Sequence, residues 1–139
     1  MIRPAAPADR ERLRELQRHL REPNPALLDY AVSGPPLALV SVADGRPVGY
    51  LVAFHDGETA YVAEIAVAPT HRREGRARRL LGAAFDRLRE AGCSAVRLTV
   101  HPDDDPARSL YQSLGFAEVD RRRDYYEDGR EGIVMARDL

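Results

Sequence analysis

The chain has 139 residues, of which 44% are hydrophobic and 31% charged, and its formal net charge is −1. A chain of this length is expected to form one domain, residues 1–139, and its balanced charge gives no electrostatic reason to expect a nucleic acid or a membrane surface as its partner. Its apolar runs fall far short of the roughly 20 residues of a membrane span, and no secretory leader is recognisable, so a cytoplasmic location is expected.

The first third of the chain predicts one strand followed by two helices. Leu13, Leu16 and Leu20 recur at the spacing of a helical face. Prolines and glycines mark the breaks, because proline removes a backbone donor and glycine frees the backbone. The expected elements are a strand over residues 2–5, a helix entered at Pro7 that runs to about Arg21, and a shorter helix over residues 26–31 that ends at Ser33-Gly34-Pro35-Pro36.

Three strands separated by two Asp-Gly turns follow. Asp44-Gly45 and Asp56-Gly57 each lie between apolar segments, which is a strong hairpin signal. The expected strands are residues 37–43, 47–55 and 59–67. Together they predict an antiparallel meander.

The second half predicts a helix between two strands, then another helix and a closing pair of strands. Apolar residues recur at helical spacing over residues 73–91, which stop at Gly92, and residues 94–101 alternate as a strand. A helix that connects two strands of one sheet predicts that these strands run parallel. The other expected elements are a helix over residues 107–114, entered at Asp103-Asp104-Asp105-Pro106, and strands over residues 116–126 and 131–137. The predicted fold class is therefore α/β (α+β), with a mixed sheet and one central crossover.

One segment between a strand and a helix start has the composition of an anion site. It reads Arg72-Arg73-Glu74-Gly75-Arg76-Ala77, and Gly75 would let the backbone approach a ligand closely. The first turn of a helix presents backbone N–H groups at the positive end of its dipole, and the arginines here, with Arg78, add positive charge. The spacing excludes a P-loop and a dinucleotide-binding fingerprint. The segment predicts a phosphate-binding turn, and the alternative is an ordinary helix start with solvated arginines.

Two motifs in this order resemble those of the GNAT superfamily of N-acetyltransferases. Residues 72–77 match the Arg-x-x-Gly-x-Ala form of its pyrophosphate-binding signature, and residues 107–116 are similar to its Ala-x-x-Leu-Tyr-x-x-x-Gly-Phe segment. The order of the predicted elements also resembles that of the GNAT fold. The resemblance implies a mixed, mostly antiparallel sheet of six or seven strands, with a central βαβ unit and helices on both faces. It also implies acetyl-coenzyme A as cosubstrate.

The resemblance implies roles for particular residues. Tyr111 would protonate the coenzyme A thiolate as general acid, and its alternative role is helix packing. The backbone of residues 65–67 would bond the pantetheine arm and polarise the thioester carbonyl, in a strand that is also buried. The implied cofactor-binding residues are Ile65, Ala66, Val67, Arg72, Arg73, Glu74, Gly75, Arg76, Ala77, Arg78, Asp104 and Tyr111.

Within the superfamily, residues 122–136 resemble the closing hairpin of the RimI branch, the ribosomal-protein-alanine N-acetyltransferases. In that branch the paired tyrosines stand beside the peptide acceptor, which implies Tyr125, Tyr126 and Thr99 as substrate-binding residues. The alternative for the two tyrosines is to cover a sheet edge. Thr99 takes the place of a glutamate base of that branch, and Asp104 takes the place of an asparagine that contacts coenzyme A.

Because threonine cannot act as a base, another group must accept the proton of the amine. Glu64 is the first candidate, on the strand beside the expected thioester site, and His101 is the second, because an imidazole titrates near neutral pH. The alternatives are a solvent-facing strand residue for Glu64 and a loop residue for His101.

The predicted function is transfer of the acetyl group of acetyl-coenzyme A to an amine by direct attack in a ternary complex. The acceptor is a protein or peptide N-terminal amine or a small-molecule amine. The alternative is a non-catalytic acyl-coenzyme A-binding regulatory module, which the threonine at position 99 makes conceivable. A monomer or a homodimer is expected. The single Cys93 and the four scattered histidines lack metal-ligand spacing, so no metal site is expected.

Overall fold

The computed structural model describes residues 1–32 and 37–139, which contain seven strands and four α-helices. The strands are β1 (Ile2–Pro4), β2 (Leu37–Ala43), β3 (Arg46–His55), β4 (Thr59–Val67), β5 (Ala95–Val100), β6 (Ala117–Arg122) and β7 (Gly132–Asp138). The helices are α1 (Arg10–Gln17), α2 (Pro25–Ala31), α3 (Arg76–Glu90) and α4 (Asp105–Ser113). Hydrogen bonds join the strands in the order β1-β2-β3-β4-β5-β7-β6, which confirms the predicted mixed, mostly antiparallel sheet. Ser33-Gly34-Pro35-Pro36, the predicted end of the second helix, lies outside the described residues.

The chain forms two compact units. Unit one comprises residues 1–54 and 62–87, and unit two comprises residues 55–61 and 88–139. Strand β4 contributes its first three residues to unit two and the others to unit one. The single domain predicted from the chain length stays a prediction.

Unit one contains the predicted meander. β1 pairs antiparallel with β2, and β2 pairs antiparallel with β3 around a two-residue turn. Asp44 and Gly45 in that turn both have positive φ angles, 52° and 74°, as a tight hairpin with right-handed strand twist requires. The helices α1 and α2 bury apolar faces against these strands. The apolar cluster consists of Leu13, Leu16, Leu28, Ala31, Val32, Val40, Val42, Val48, Tyr50, Val52, Ala66 and Ala68.

Gly49 marks a close approach of two strands in unit one. A Cβ atom at Gly49 would lie 3.0 Å from the carbonyl oxygen of Ala66 and 3.3 Å from Cγ2 of Val67, whereas one at Gly82 of α3 would meet nothing within 4 Å. We therefore expect Gly49→Ala to lower the free energy of unfolding by about 1–3 kcal/mol, because a backbone atom cannot move aside without strain. Gly82→Ala should raise it by about 0.5–1 kcal/mol, because alanine restricts the unfolded chain and favours the helix. Urea unfolding measures both, and equal effects would contradict this difference in packing.

Unit two contains the parallel pair and the closing hairpin. The first residues of β4 pair parallel with β5, with Tyr61 opposite Arg97, which confirms the prediction for these two strands. β7 pairs antiparallel with both β5 and β6. The second strand of the closing hairpin, rather than the first, therefore joins β5.

Two predicted boundaries at helix ends are wrong. Helix α1 ends at Gln17 instead of about Arg21, because the next amides, those of His19 and Leu20, bond to carbonyls only three residues back. Helix α3 begins at Arg76 instead of residue 73, because the preceding turn contains left-handed residues that a helix cannot include. No helix within residues 1–32 or 37–139 has the length and hydropathy to cross a membrane.

The predicted end of the strand before the last turn is also wrong. Strand β6 ends at Arg122, so Tyr125 and Tyr126 lie in the turn between β6 and β7. Beyond the strand the chain turns at Asp124, whose φ angle is 49°, and the amide of Tyr126 then donates to the carbonyl of Arg130 at 3.2 Å. The two tyrosines therefore belong to a turn that can present them, and not to a paired strand.

Candidate active site

The turn before α3 has backbone geometry suited to an anion. Arg73 and Gly75 have positive φ angles, 64° and 76°, on either side of Glu74. The carbonyl of Gly75 accepts the first bond of the helix from the amide of Arg79 at 3.0 Å. The amides of the first turn thus have no partner inside the helix, and turns of this conformation form concave surfaces of N–H groups that bind anions. A Cβ atom at Gly75 would lie 3.1 Å from Nη1 of Arg79, and the positive φ angle of this residue favours glycine, whereas the pyrophosphate contact predicted for this turn stays a prediction.

The arginines of this turn fall into two groups. Nε of Arg72 donates to the carbonyl of Val67 at 3.2 Å. Arg76 donates from Nε to Glu74 and from Nη1 to the hydroxyl of buried Ser41, both at 3.0 Å. The side chain of Arg76 lowers the pKa of the Glu74 carboxyl. Arg76 therefore stabilises the turn through its hydrogen bonds. Arg73 and Arg78 are exposed and add positive charge at the surface.

The end of β4 carries the residues predicted to hold the pantetheine arm. Ala66 is buried in the apolar cluster of unit one, whereas Ile65 and Val67 are half-buried on the opposite face of the strand. Just beyond them, the amide of Ala68 donates to the carbonyl of Val48 at 2.8 Å. The role predicted for residues 65–67 belongs to their backbone groups and stays a prediction.

Glu64 is a carboxylate buried in unit one, with 9% of its surface exposed. Its Oε1 accepts hydrogen bonds from Nε2 of Gln17 and from the hydroxyl of Tyr50, each at 2.9 Å. Its Oε2 accepts from the same Gln17 nitrogen at 3.2 Å and from the backbone amide of Asn24 at 3.3 Å. Burial raises the pKa of the Glu64 carboxyl, and these donors oppose that effect. Both carboxylate oxygens are thus already engaged by the protein.

Tyr111 is buried in α4 of unit two, with 7% of its surface exposed. Its ring packs edge-on against Phe116, with centroids 5.8 Å apart. Burial raises the pKa of the Tyr111 phenol, and the charge of Asp104 raises it further. A phenol in this environment keeps its proton through neutral and mildly alkaline pH, which is the state that a general acid needs.

Asp104 acts at the start of the same helix. Its Oδ1 accepts a hydrogen bond from the amide of Ala107 at 3.2 Å, so Asp104 is the N-cap of α4. The contact with coenzyme A predicted for Asp104 stays a prediction.

His101 follows β5 and is buried in unit two, with 3% of its surface exposed. Nδ1 accepts from the amide of Asp103 at 3.1 Å, and Nε2 lies 2.8 Å from Oδ2 of Asp128. Because an amide can only donate, we assign the ring proton to Nε2. The ring also packs on Tyr126 at 4.8 Å, and Arg130 donates to Asp103 at 2.8 Å. His101 therefore links the end of β5 to the turn between β6 and β7, and both its ring nitrogens are engaged.

Thr99 belongs to a cluster of three hydroxyl groups. Its Oγ1 lies 2.7 Å from the hydroxyl of Tyr61, which lies 3.5 Å from the hydroxyl of Tyr125. Burial raises the pKa of Tyr61 to about 12. A Cβ atom at Gly132 would lie 2.7 Å from Cγ2 of Thr99 and 2.9 Å from the ring of Tyr125, so glycine alone leaves room for this ring. Tyr125 remains 42% exposed and can contact a ligand.

The structure groups the predicted site residues by unit. In unit two it brings Thr99 together with Tyr125, and His101 together with Tyr126. Tyr111 lies in the same unit, on α4, whereas Glu64 and the phosphate-binding turn belong to unit one. Among the residues that the structure describes, no group of three or more His, Cys, Asp or Glu side chains could hold a metal ion.

Several partners of these residues were not predicted from the sequence. The contact between Tyr61 and Thr99 could have been predicted from the sequence, because the expected parallel pairing of β4 with β5 places Tyr61 opposite Arg97, two residues before Thr99. No sequence pattern indicated that Gln17 and Tyr50 contact Glu64, since they lie 47 and 14 residues from it in the chain.

Comparison with known proteins gives three kinds of match. The Acetyltransferase (GNAT) family matches residues 6–116. The [ribosomal protein bS18]-alanine N-acetyltransferase of Escherichia coli (strain K12) is 42% identical over 82 residues, or 57% of this chain and 55% of that protein. The N-alpha-acetyltransferase of Sulfurisphaera tokodaii is 33% identical over 113 residues, or 72% of this chain and 68% of that protein.

The fold is similar to a crystal structure of the ribosomal-protein-S18-alanine N-acetyltransferase from Escherichia coli. The TM-score is 0.90 at 26% sequence identity, and the superposition covers 100% of this chain and 93% of that chain. In sequence, by contrast, the match spans only about half the length of the curated Escherichia coli relative, 55%. The matched family segment, residues 6–116, includes both the phosphate-binding turn and Tyr111.

Proposed function

Because the chain belongs to the acetyltransferase (GNAT) family, we propose that it transfers the acetyl group of acetyl-coenzyme A to the α-amino group of a protein N-terminus. The names of two relatives support this acceptor, since one is an alanine N-acetyltransferase of ribosomal protein bS18 and the other an N-alpha-acetyltransferase. The observation that carries the proposal is the buried phenol of Tyr111, which keeps a proton in the segment that the family shares. A ribosomal protein that begins with alanine is the proposed partner, and a monomer or homodimer stays a prediction.

The turn before α3 and the end of β4 would hold the cosubstrate. When bound, acetyl-coenzyme A supplies an activated acetyl thioester. The backbone amides of residues 73–77 would bind its pyrophosphate, and Arg73 and Arg78 add charge at the surface. The backbone of residues 65–67 would align the pantetheine arm. Much of the rate enhancement then comes from holding donor and acceptor together, without a covalent enzyme intermediate.

Tyr111 supplies the proton that the leaving sulfur needs. As the acceptor nitrogen forms its bond to the acetyl carbon, the C–S bond breaks and its electron pair stays on sulfur, which takes the proton of the Tyr111 hydroxyl. An α-amino group has an ordinary pKa of about 8, so a large fraction is already neutral near that pH. The proton released from nitrogen passes to a base or to water. Glu64 and His101 stay predictions for that base, and both already use their acceptor atoms within the protein.

Release of free thiol from acetyl-coenzyme A tests the function. The acceptors are a hexapeptide with an N-terminal alanine, the same peptide with a blocked N-terminus and one internal lysine, a polyamine and an aminoglycoside. We expect turnover with the free N-terminus at least tenfold above that with the other three. Turnover only with the polyamine or aminoglycoside would contradict the proposed acceptor. Tight binding of acetyl-coenzyme A by calorimetry with no turnover on any amine would favour the non-catalytic alternative.

Gly132→Ala tests the role of the turn tyrosines. The added methyl group would displace the Tyr125 ring, which a Cβ atom would approach to 2.9 Å. We expect the KM for the alanine peptide to rise by about tenfold, with little change in the KM for acetyl-coenzyme A, because the variant alters only the acceptor side. Gly129→Ala is the control for general disturbance: Gly129 lies in the turn just before β7 and a Cβ atom there would meet nothing within 4 Å, while its φ angle of 81° adds backbone strain that Gly132 lacks. Equal effects of the two variants would show that general disturbance of the turn, and not the Tyr125 ring, is responsible.

A further inference from the structure

The chain between α1 and α2 is anchored to β4 through the backbone of one residue, Asn24. Asn24 is exposed, but its amide donates to Oε2 of Glu64 at 3.3 Å and its carbonyl accepts from Nε2 of Gln17 at 2.8 Å. The same Gln17 nitrogen also donates to both oxygens of Glu64. Gln17, Glu64 and the backbone of Asn24 thus form a closed ring of hydrogen bonds inside unit one.

This anchor sets both the position and the direction of the connection. The neighbours of Asn24 are Pro23 and Pro25, which have restricted backbones and no amide to donate. The side chain of Asn24 caps α2 by accepting from the amide of Leu27 at 3.3 Å. The backbone of Asn24 is therefore fixed by hydrogen bonds to Gln17 and to Glu64 of β4, and the chain continues from Asn24 directly into α2.

The anchor is made of buried polar groups, which proteins bury only with partners. Gln17 is 2% exposed and Glu64 is 9% exposed. Each group that faces Glu64 presents an N–H or O–H to it, so its two oxygens act as acceptors only. Three donor groups of the protein thus engage both oxygens of this carboxylate, which can thereby hold a surface connection in a single conformation.

We propose that Glu64 and Gln17 are positioning residues: they hold the connection between α1 and α2, residues 18–24, in one conformation beside the strand proposed to align the acetyl donor, from which this connection contacts the acceptor. Glu64 immediately precedes Ile65 in β4, so the same residue joins this connection to the strand proposed to align the acetyl donor. Donor strand and acceptor connection would then keep a constant spacing. The inference rests on the proposed function and assigns Glu64 a role other than general base.

Four variants separate positioning from base catalysis, assayed with the alanine hexapeptide and acetyl-coenzyme A. Gln17→Ala and Glu64→Ala remove the anchor, and we expect each to raise the peptide KM by about tenfold while kcat and the KM for acetyl-coenzyme A stay within about threefold. Glu64→Gln keeps an oxygen for the Asn24 amide and can donate to the Tyr50 oxygen, so kcat and its pH profile should be retained. Tyr50→Phe is the matched control, because it removes one bond to Glu64 without touching Asn24, and its peptide KM should stay near that of the wild type.

Two kinetic outcomes would overturn the inference. Loss of kcat by 100-fold or more in Glu64→Gln, together with loss of the acidic limb of the pH profile, would make Glu64 the base. An unchanged peptide KM in Gln17→Ala would show that the anchor does not position the acceptor, whether or not Glu64→Ala folds.

Hydrogen exchange tests the anchor independently of activity. Asn24 has the lone amide of Pro23-Asn24-Pro25, so its exchange reports directly on the bond to Glu64. We expect this amide to exchange at least tenfold faster in Gln17→Ala than in the wild type or in Tyr50→Phe. Unchanged exchange would refute the anchor. Faster exchange with no acetylation of any amine by the wild type would keep the anchor but refute its catalytic purpose together with the proposed function.

Discussion

Tyr111→Phe should lower kcat by about 10²- to 10⁴-fold, the usual contribution of a positioned general acid. The variant removes only the hydroxyl, and the remaining ring can keep its edge-on contact with Phe116. The KM for the alanine peptide should change little, because Tyr111 acts on the leaving group. Thiol release at saturating substrates measures kcat, and a thermal unfolding curve within a few degrees of that of the wild type shows that the fold is kept.

The pH dependence gives the same assignment a second test. Burial and the charge of Asp104 raise the pKa of Tyr111 above its ordinary value, so its acid form persists as pH rises. Wild-type kcat should therefore show no alkaline loss below about pH 10, the ordinary pKa of tyrosine. Tyr30→Phe is the control, because it removes a hydroxyl from a tyrosine that is 51% exposed, and its kcat should stay within about twofold. Full activity of Tyr111→Phe at all pH values would refute the role of Tyr111 as general acid.

Gly75→Glu should weaken binding of acetyl-coenzyme A by at least tenfold, which corresponds to about 1.4 kcal/mol. The new side chain adds bulk and negative charge to the turn where the pyrophosphate is proposed to lie, and its Cβ atom would approach Arg79 to 3.1 Å. A residue with a side chain at a φ angle of 76° also costs about 1–2 kcal/mol of folding free energy. Calorimetric titration with acetyl-coenzyme A measures the affinity. Salt should reduce the loss, since part of it is electrostatic repulsion near the surface.

Gly45→Glu is the matched control for that variant. Gly45 has nearly the same φ angle, 74°, and a Cβ atom there would meet nothing within 4 Å. Both variants therefore make the same change of charge at a similar backbone cost, but Gly45 lies in the hairpin turn between β2 and β3. Gly45→Glu should lower the melting temperature by a similar amount and leave the affinity for acetyl-coenzyme A unchanged. Undiminished affinity in folded Gly75→Glu, or an equal loss in both variants, would refute the phosphate site.

The sequence by itself determined the order of the strands and helices and the tight turn before α3. β2 and β4 have the predicted bounds, and the Asp44-Gly45 turn has the two positive φ angles that its hairpin signal implies. These features are local, because alternation, turn chemistry and glycine conformation act over a few neighbouring residues. The parallel pairing of β4 with β5 could also be predicted, since a helix between two strands restricts their connection.

Only the tertiary structure decided what the site residues contact. The sequence indicated Glu64 as a candidate base on β4, but the structure shows that its hydrogen-bond donors come from positions 14, 40 and 47 residues away. Thr99 likewise meets the hydroxyl of Tyr61 across 38 residues. Such contacts depend on strand register and helix packing, which bring distant groups to one point and have no periodic signal in the chain. The sequence could therefore nominate chemical groups, but burial and register determined whether their oxygen and nitrogen atoms are available for a substrate.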